Sequence, residues 1–268
     1  MEKLLTFMRS IPEYKILLEC IESNESAAVT GIGQINRSHL IAAMRHDTNR
    51  PIVLLCQDDS FAKRLQEELN AFLGYEANSL PSRELTMYDT AVVSRGWEQK
   101  RIRQLYELSQ HQCDLQIMSW DAMCQRTMPE SVLNSAAFQL CVGSAYHLDA
   151  LIGRLTTCGY SRCTMVEGPG QFALRGGILD IYSPASNQPF RAEFFGDELD
   201  SMGYFDPDTQ RRTDNIDTVT VLPVSETQPM LHPNGIEGLC ADLRQLIARQ
   251  RRRKTINEAL VNTLEKDL

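Results

Sequence analysis

Residues Ala28 to Ile35 read AVTGIGQI. They stand where a strand, a glycine turn and a helix open an α/β chain, the usual place for a nucleotide phosphate. A phosphate-binding loop has the pattern G-x-x-x-x-G-K-[ST]. Its lysine neutralises the outer phosphates and its hydroxyl ligates magnesium. Here Ala28 replaces the first glycine, Gly33 keeps the second, Gln34 takes the lysine position and Ile35 the hydroxyl position. Gln34 carries no charge and Ile35 no oxygen. The expectation is a degenerate phosphate loop (Thr30, Gly31, Gly33, Gln34, Ile35) with no catalytic residue, no cofactor and no metal. The other reading is that the glycines only make a turn.

AEFFGDELD, 192–200, imitates the strand-end acid pair of an ATPase with Asp197 and Glu198. Without a phosphate lysine these acids have nothing to serve, and a turn at a strand end is the expected role. His39, His46, His111, His147 and His232 lack a nucleophile or metal motif nearby. The eight cysteines include no C-x-x-C pair and several lie in apolar stretches such as IVLLC and FQLCV. They read as reduced, partly buried thiols of a cytoplasmic protein. The one dense basic run is RQRRRK, Arg249 to Lys254. Arg251, Arg252 and Arg253 are its candidate DNA contacts, against the alternative of a solvated helix face among Glu258, Glu265 and Asp267.

The elements that would position these residues change character along the chain. Helical periodicity covers 12–22, 34–46, 61–73, which Gly74 ends, and 94–110. AAVTG at 27–31 reads as a short strand. PIVLLC at 51–56 and DLQIMSW at 114–120 read as strands covered on both faces. This order predicts a parallel sheet with helices on both faces. From about 137 one helix, 147–160, is followed by short strands: TMVEG, QFALRG, GILDIYS, FRAEFFGD, LDSMGYFD and DTVTVLP. That is an inserted α+β subdomain with an antiparallel sheet. The expected division is 1–136, 137–223, and a truncated helical start at 224–268. The chain stops at EALVNTLEKDL with no terminating signal and reads as a piece of something longer.

The chain has 268 residues and a net charge of −8, with 43% apolar and 23% charged residues. These are ordinary globular values and exclude a disordered or fibrous chain. No apolar run is long enough to span a membrane, and the N-terminus is not a secretory signal. The acidic balance argues against a surface devoted to nucleic acid.

VEGPGQFALRGGILDIYSP, FRAEFFGDELDS and FDPDTQRRT, with LPSRELTMYD and LQIMSWDAMCQRTMP upstream, are long and correctly spaced. With them and the altered AVTGIGQI loop, the chain resembles the N-terminal UvrB-like module of the bacterial transcription-repair coupling factor (Mfd) family. UvrB itself fits less well. It has an intact phosphate loop and a DNA-gripping β-hairpin, for which 80–130 offers no long enough segment. The resemblance implies a RecA-like α/β domain with a lost catalytic loop and an antiparallel subdomain that docks UvrA. It implies a parent that is an ATP-driven double-stranded DNA translocase displacing stalled RNA polymerase, through domains outside these residues. It also implies that the C-terminal domain masks the docking face in the resting full-length protein.

Strand alternation offers such a face on its own terms. In FRAEFF, Phe190, Ala192 and Phe194 point one way and Arg191, Glu193 and Phe195 the other; in QFALR, Arg175 lies opposite Phe172 and Leu174. Arginine beside an exposed aromatic is the composition of an interface hot spot. From the pattern alone a second arrangement is open, with Phe195 under a loop and the arginines paired to Glu193 or Asp180. Arg175, Arg191 and Phe195 match the family positions that contact UvrA, which favours docking. An active UvrB- or helicase-type nucleotide enzyme and a DNA-binding module are the competing functions.

Overall fold

The computed structural model describes residues 2–83, 96–226, 232, 234–252 and 258–266. The chain divides into two compact units, Met1–Glu130 and Ser131–Leu268.

The first unit opens with helices α1 (Glu2–Phe7), α2 (Pro12–Glu22) and α3 (Gln34–Thr48). Strand β1 (Ile52–Cys56), helix α4 (Asp59–Leu73), strand β2 (Asn78–Leu80), helix α5 (Gly96–Ser109), strand β3 (Leu115–Ser119) and helix α6 (Trp120–Cys124) follow. The bounds of α4 have local causes. Asp58 accepts from the Phe61 N–H at 2.7 Å, and Gly74 takes the left-handed conformation at φ 76°. The sheet is parallel, in the order β1-β3-β2, with Leu54 and Ser79 both opposite Ile117. Leu115 and Ile117 share one core with Leu65 and Leu69 of α4 and Ala42 and Ala43 of α3. On the other face, Asn78 donates to Glu107 of α5 at 2.9 Å.

Two expectations fail here. Residues 27–31 are exposed and form no strand, because no ladder partner lies beside them among the described residues. And β1 is not covered on both faces: it is the edge of its sheet, and Val53 and Leu55 are 62% and 48% exposed. β2 is three residues long, too short for the sequence pattern to announce it.

Asp47 ties the N-terminal helices to α3. It accepts from Arg9 at 2.7 and 3.1 Å and from the Tyr14 hydroxyl at 2.9 Å, with His46 Nδ1 at 2.9 Å. Burial alone would push this carboxyl up. The donors on Arg9, His46 and Tyr14 outweigh it and hold the group below its ordinary value. A depressed carboxyl adds stability above its unfolded pKa, near 4, and loses it as pH falls through the folded value. Asp47→Asn is therefore expected to lower stability at neutral pH by about 1–3 kcal/mol. It should also flatten the acid limb, read as melting temperature against pH.

The second unit takes up helix α7 (Glu130–Ala136), strand β4 (Phe138–Cys141) and helix α8 (Leu148–Thr157). Strands β5 (Ser161–Arg162), β6 (Gln171–Arg175), β7 (Ile178–Ile181), β8 (Phe190–Phe195), β9 (Glu198–Phe205), β10 (Arg212–Asn215) and β11 (Thr218–Val221) follow, then helices α9 (Gly235–Arg251) and α10 (Glu258–Lys266). Six strands form one sheet, β10-β9-β8-β7-β6-β5, antiparallel except for the β5–β6 pair; β11 pairs with β4 apart from it. Leu151 and Leu155 of α8 join Leu140, Phe172, Leu179, Phe190, Ala192, Leu199 and Met202 in one core.

TMVEG is not a strand. Its Glu167 and Gly168 N–H groups donate to the Gln171 side chain at 2.9 and 3.1 Å, which builds a loop, and the edge strand lies earlier, at β5. DTVTVLP pairs with β4 instead of the large sheet. All eight cysteines are free thiols. Among the described residues, no cluster of three metal-ligating side chains occurs, and no helix is long and apolar enough to cross a membrane.

Candidate functional site

The turns β6–β7 and β8–β9 lie side by side at one end of the six-stranded sheet. Gly176 and Gly196 open them at φ 61° and 64°, the positive value that a two-residue hairpin wants first. Phe194 N–H donates to Gly177 O at 2.8 Å, and a Cβ at Gly177 would lie 2.7 Å from Phe194 O. Glycine there lets the turns touch.

The outer face between these turns carries the charges. Asp180, fully buried, accepts from Arg191 at 2.6 and 2.9 Å and from Arg175 at 2.5 Å. Arg191 also stacks over the buried Phe205 ring at 4.8 Å. Its hydrogen bonds to Asp180, against some desolvation, raise its pKa further. The Arg191 side chain is 19% exposed, that of Arg175 48%. Next to them Arg212 reaches Glu193 and the Ser201 hydroxyl, each at 3.4 Å. It crosses Gly203, where a Cβ would overlap the arginine and approach Asp214 O to 2.7 Å.

Phe195 stands at the hairpin tip, 83% exposed, with the partly exposed Ile178 near it on the same face. Phe190, Ala192 and Leu179 are buried beneath, and Phe194 packs against that core. The structure thus brings Arg175, Arg191 and Phe195 to one face. It combines the two arrangements left open by the pattern: the aromatic is bare, and both arginines pair with Asp180. Of the three, Arg191 is largely spent on its own fold. Sequence reading missed Ile178 and Arg212.

The other candidates lie elsewhere. Gly33 is the N-cap of α3 and Gln34 its first residue; Thr30, Gly31, Gly33 and Gln34 are exposed. The Gln34 amide lies against Arg64, its oxygen accepting at 3.0 and 3.2 Å once turned toward the guanidinium. Ile35 lies in the first turn of α3. Thr30 and Gly31 border a cavity of about 400 Å³ lined also by Phe7, Tyr14, Val29 and His39. Among the described residues no lysine or arginine lines it, and Glu13 does. A polyphosphate would find no counter-charge there.

Asp197 is the second residue of the β8–β9 turn, with His147 Nδ1 3.2 Å from its carboxylate. Arg251 and Arg252 are exposed at the end of α9, and Arg251 pairs with Glu265 of α10. Arg253 lies outside the described residues.

Residues 138–226, the stretch that carries this face, match the family model described as the UvrB interaction domain. The chain is similar to proteins named transcription-repair-coupling factor. It is 29% identical to that of Myxococcus xanthus over 214 residues, 77% of this chain and 18% of that protein. It is 28% identical to that of Bacillus subtilis over 256 residues, 92% of this chain and 22% of that protein. It is 31% identical to that of Escherichia coli over 187 residues, 70% of this chain and 16% of that protein. The chain therefore spans about a fifth of the length of the curated relatives it matches.

Proposed function

We propose that the chain is a non-catalytic module that docks UvrA for nucleotide-excision repair, on the match of residues 138–226 to the UvrB interaction domain and the similarity of the chain to transcription-repair-coupling factors. The observation that carries this reading is the bare Phe195 ring on the same sheet face as Arg175 and Arg191. An aromatic and a guanidinium held at fixed spacing over a packed core are what an interface hot spot requires. Asp180 supplies the fixing, since it orients both arginines from below.

In the first unit the reading is a nucleotide fold whose phosphate loop has lost its chemistry. Gln34 and Ile35 open α3 where a lysine and a hydroxyl would be needed, and the adjoining cavity presents Glu13 instead of a cation. Within the larger protein the module hands UvrA to a lesion site. Motor activity on double-stranded DNA and displacement of stalled RNA polymerase belong to other parts of that protein.

The test is a titration of the 268-residue chain with purified UvrA. Saturable binding is expected, and Arg175→Glu should weaken it by about tenfold or more while leaving the melting temperature within a few degrees. A wild-type affinity in that variant, or saturable ATP binding by the chain with no UvrA binding, would overturn the reading.

A further inference from the structure

We infer that Ile178 is the apolar seat of the docking face and takes an aliphatic side chain of UvrA in the middle of that contact. The inference rests on the UvrA reading and extends it to a residue that reading does not use.

Register places Ile178. Arg175, Ile178, Glu193 and Ser201 stand directly opposite one another across β6, β7, β8 and β9, so they form one row on one face of the sheet. Arg175 is the neighbour of Ile178 on one side. On the other side Arg191 and Phe195 flank Glu193 along β8, two residues before it and two after, so both share its face and stand diagonal to Ile178. Ile178 therefore lies inside the triangle whose corners are Arg175, Arg191 and Phe195. A partner surface that touches all three corners covers it.

The side chain is 38% exposed and is the one apolar group in its row. The core is carried by Leu179 and Ile181, which point the other way. The charged neighbours leave the outer surface of Ile178 clear. Arg175 is drawn along the sheet to Asp180, and Glu193 is met at 3.4 Å by Arg212, from the side of β9 and β10. Both charges beside Ile178 are thus held by partners within the sheet. An aliphatic group with a bare outer surface, inside a ring of fixed charges, has the layout of a hot spot, apolar at the centre and polar at the rim. A methyl-bearing side chain of the partner matches it. A charged or amide group set there would lose its water and gain no hydrogen bond from the isoleucine.

Ile178→Thr keeps a β-branched side chain that suits a strand and removes the apolar outer surface; Ile178→Val keeps both. Each is titrated as the 268-residue chain against purified UvrA. Ile178→Thr is expected to bind about fivefold more weakly or worse and Ile178→Val within about twofold of wild type, with melting temperatures within a few degrees. The loss should persist at high salt, since no charge is removed, whereas the effect of Arg175→Glu shrinks there. A folded Ile178→Thr with wild-type affinity overturns the inference. A second measurement needs no variant. In the deuterated chain with labelled isoleucine methyl groups, saturating the UvrA protons should attenuate the Ile178 methyl signal and leave that of the buried Ile181 unchanged. An Ile178 signal that does not change with UvrA bound overturns the inference, whether or not Ile178→Thr folds. Phe195→Ala, run in parallel, reports on the docking reading. If it weakens binding and Ile178→Thr does not, only the inference falls. If neither Phe195→Ala nor Arg175→Glu weakens binding, the docking reading falls and takes the inference with it.

Discussion

Replacing Phe195 by alanine is expected to weaken the complex with UvrA by about 2 kcal/mol or more, some thirtyfold in affinity, with no loss of fold. The ring is 83% exposed, so its removal opens no cavity and leaves the core of Phe190, Ala192 and Leu199 untouched. A side chain that contributes so little to its own domain is free to contribute to another. The backbone at the tip is set by Gly196 and by the pairing of Phe195 with Glu198, neither of which depends on the ring. Isothermal titration of Phe195→Ala with UvrA, beside a thermal melt, separates the two effects. A melting temperature that falls with the affinity would show the ring to be structural.

Arg191→Glu is expected to behave in the opposite way and to destabilise the second unit by about 3–5 kcal/mol. The substitution takes away both hydrogen bonds from Arg191 to Asp180 and places a carboxylate beside another that is fully buried. Arg175 would remain as a counter-ion from a largely solvated position. The cation over Phe205 is lost as well. Urea unfolding measures the effect, and a midpoint close to wild type would show that Asp180 does not need this partner. Charge reversal at Arg191 therefore reports on folding together with docking, and the same change at Arg175 is the cleaner probe of docking.

Much of this site was legible because strand alternation is a strong signal when one face is apolar. The order Phe190, Ala192, Phe194 fixed the inner face, and Arg191 and Phe195 followed. What alternation does not carry is irregularity. In β9, Glu193 pairs with Ser201 and Phe194 with Leu199, so Asp200 is an extra residue in the ladder. Counting by twos from the buried Leu199 would have sent Ser201 inward and left Met202 outside; the bulge reverses both. The Asp180 keystone was visible only as one of two possible partners, since pairing across strands depends on register. AAVTG failed for another reason. Its composition allows a strand, but a strand needs a neighbour, and no periodicity reports whether one is present. The two residues of β5 and the isolated pair β4–β11 are likewise products of tertiary placement.

Among the described residues no strand pairs with the outer side of β1, and this has a practical corollary. Amide donors along an outermost strand, with Val53 and Leu55 uncovered beside them, give the polypeptide a lateral adhesive rim. Concentrated samples will tend to stick through it, and a lysine in place of Val53 is the natural way to keep them dispersed.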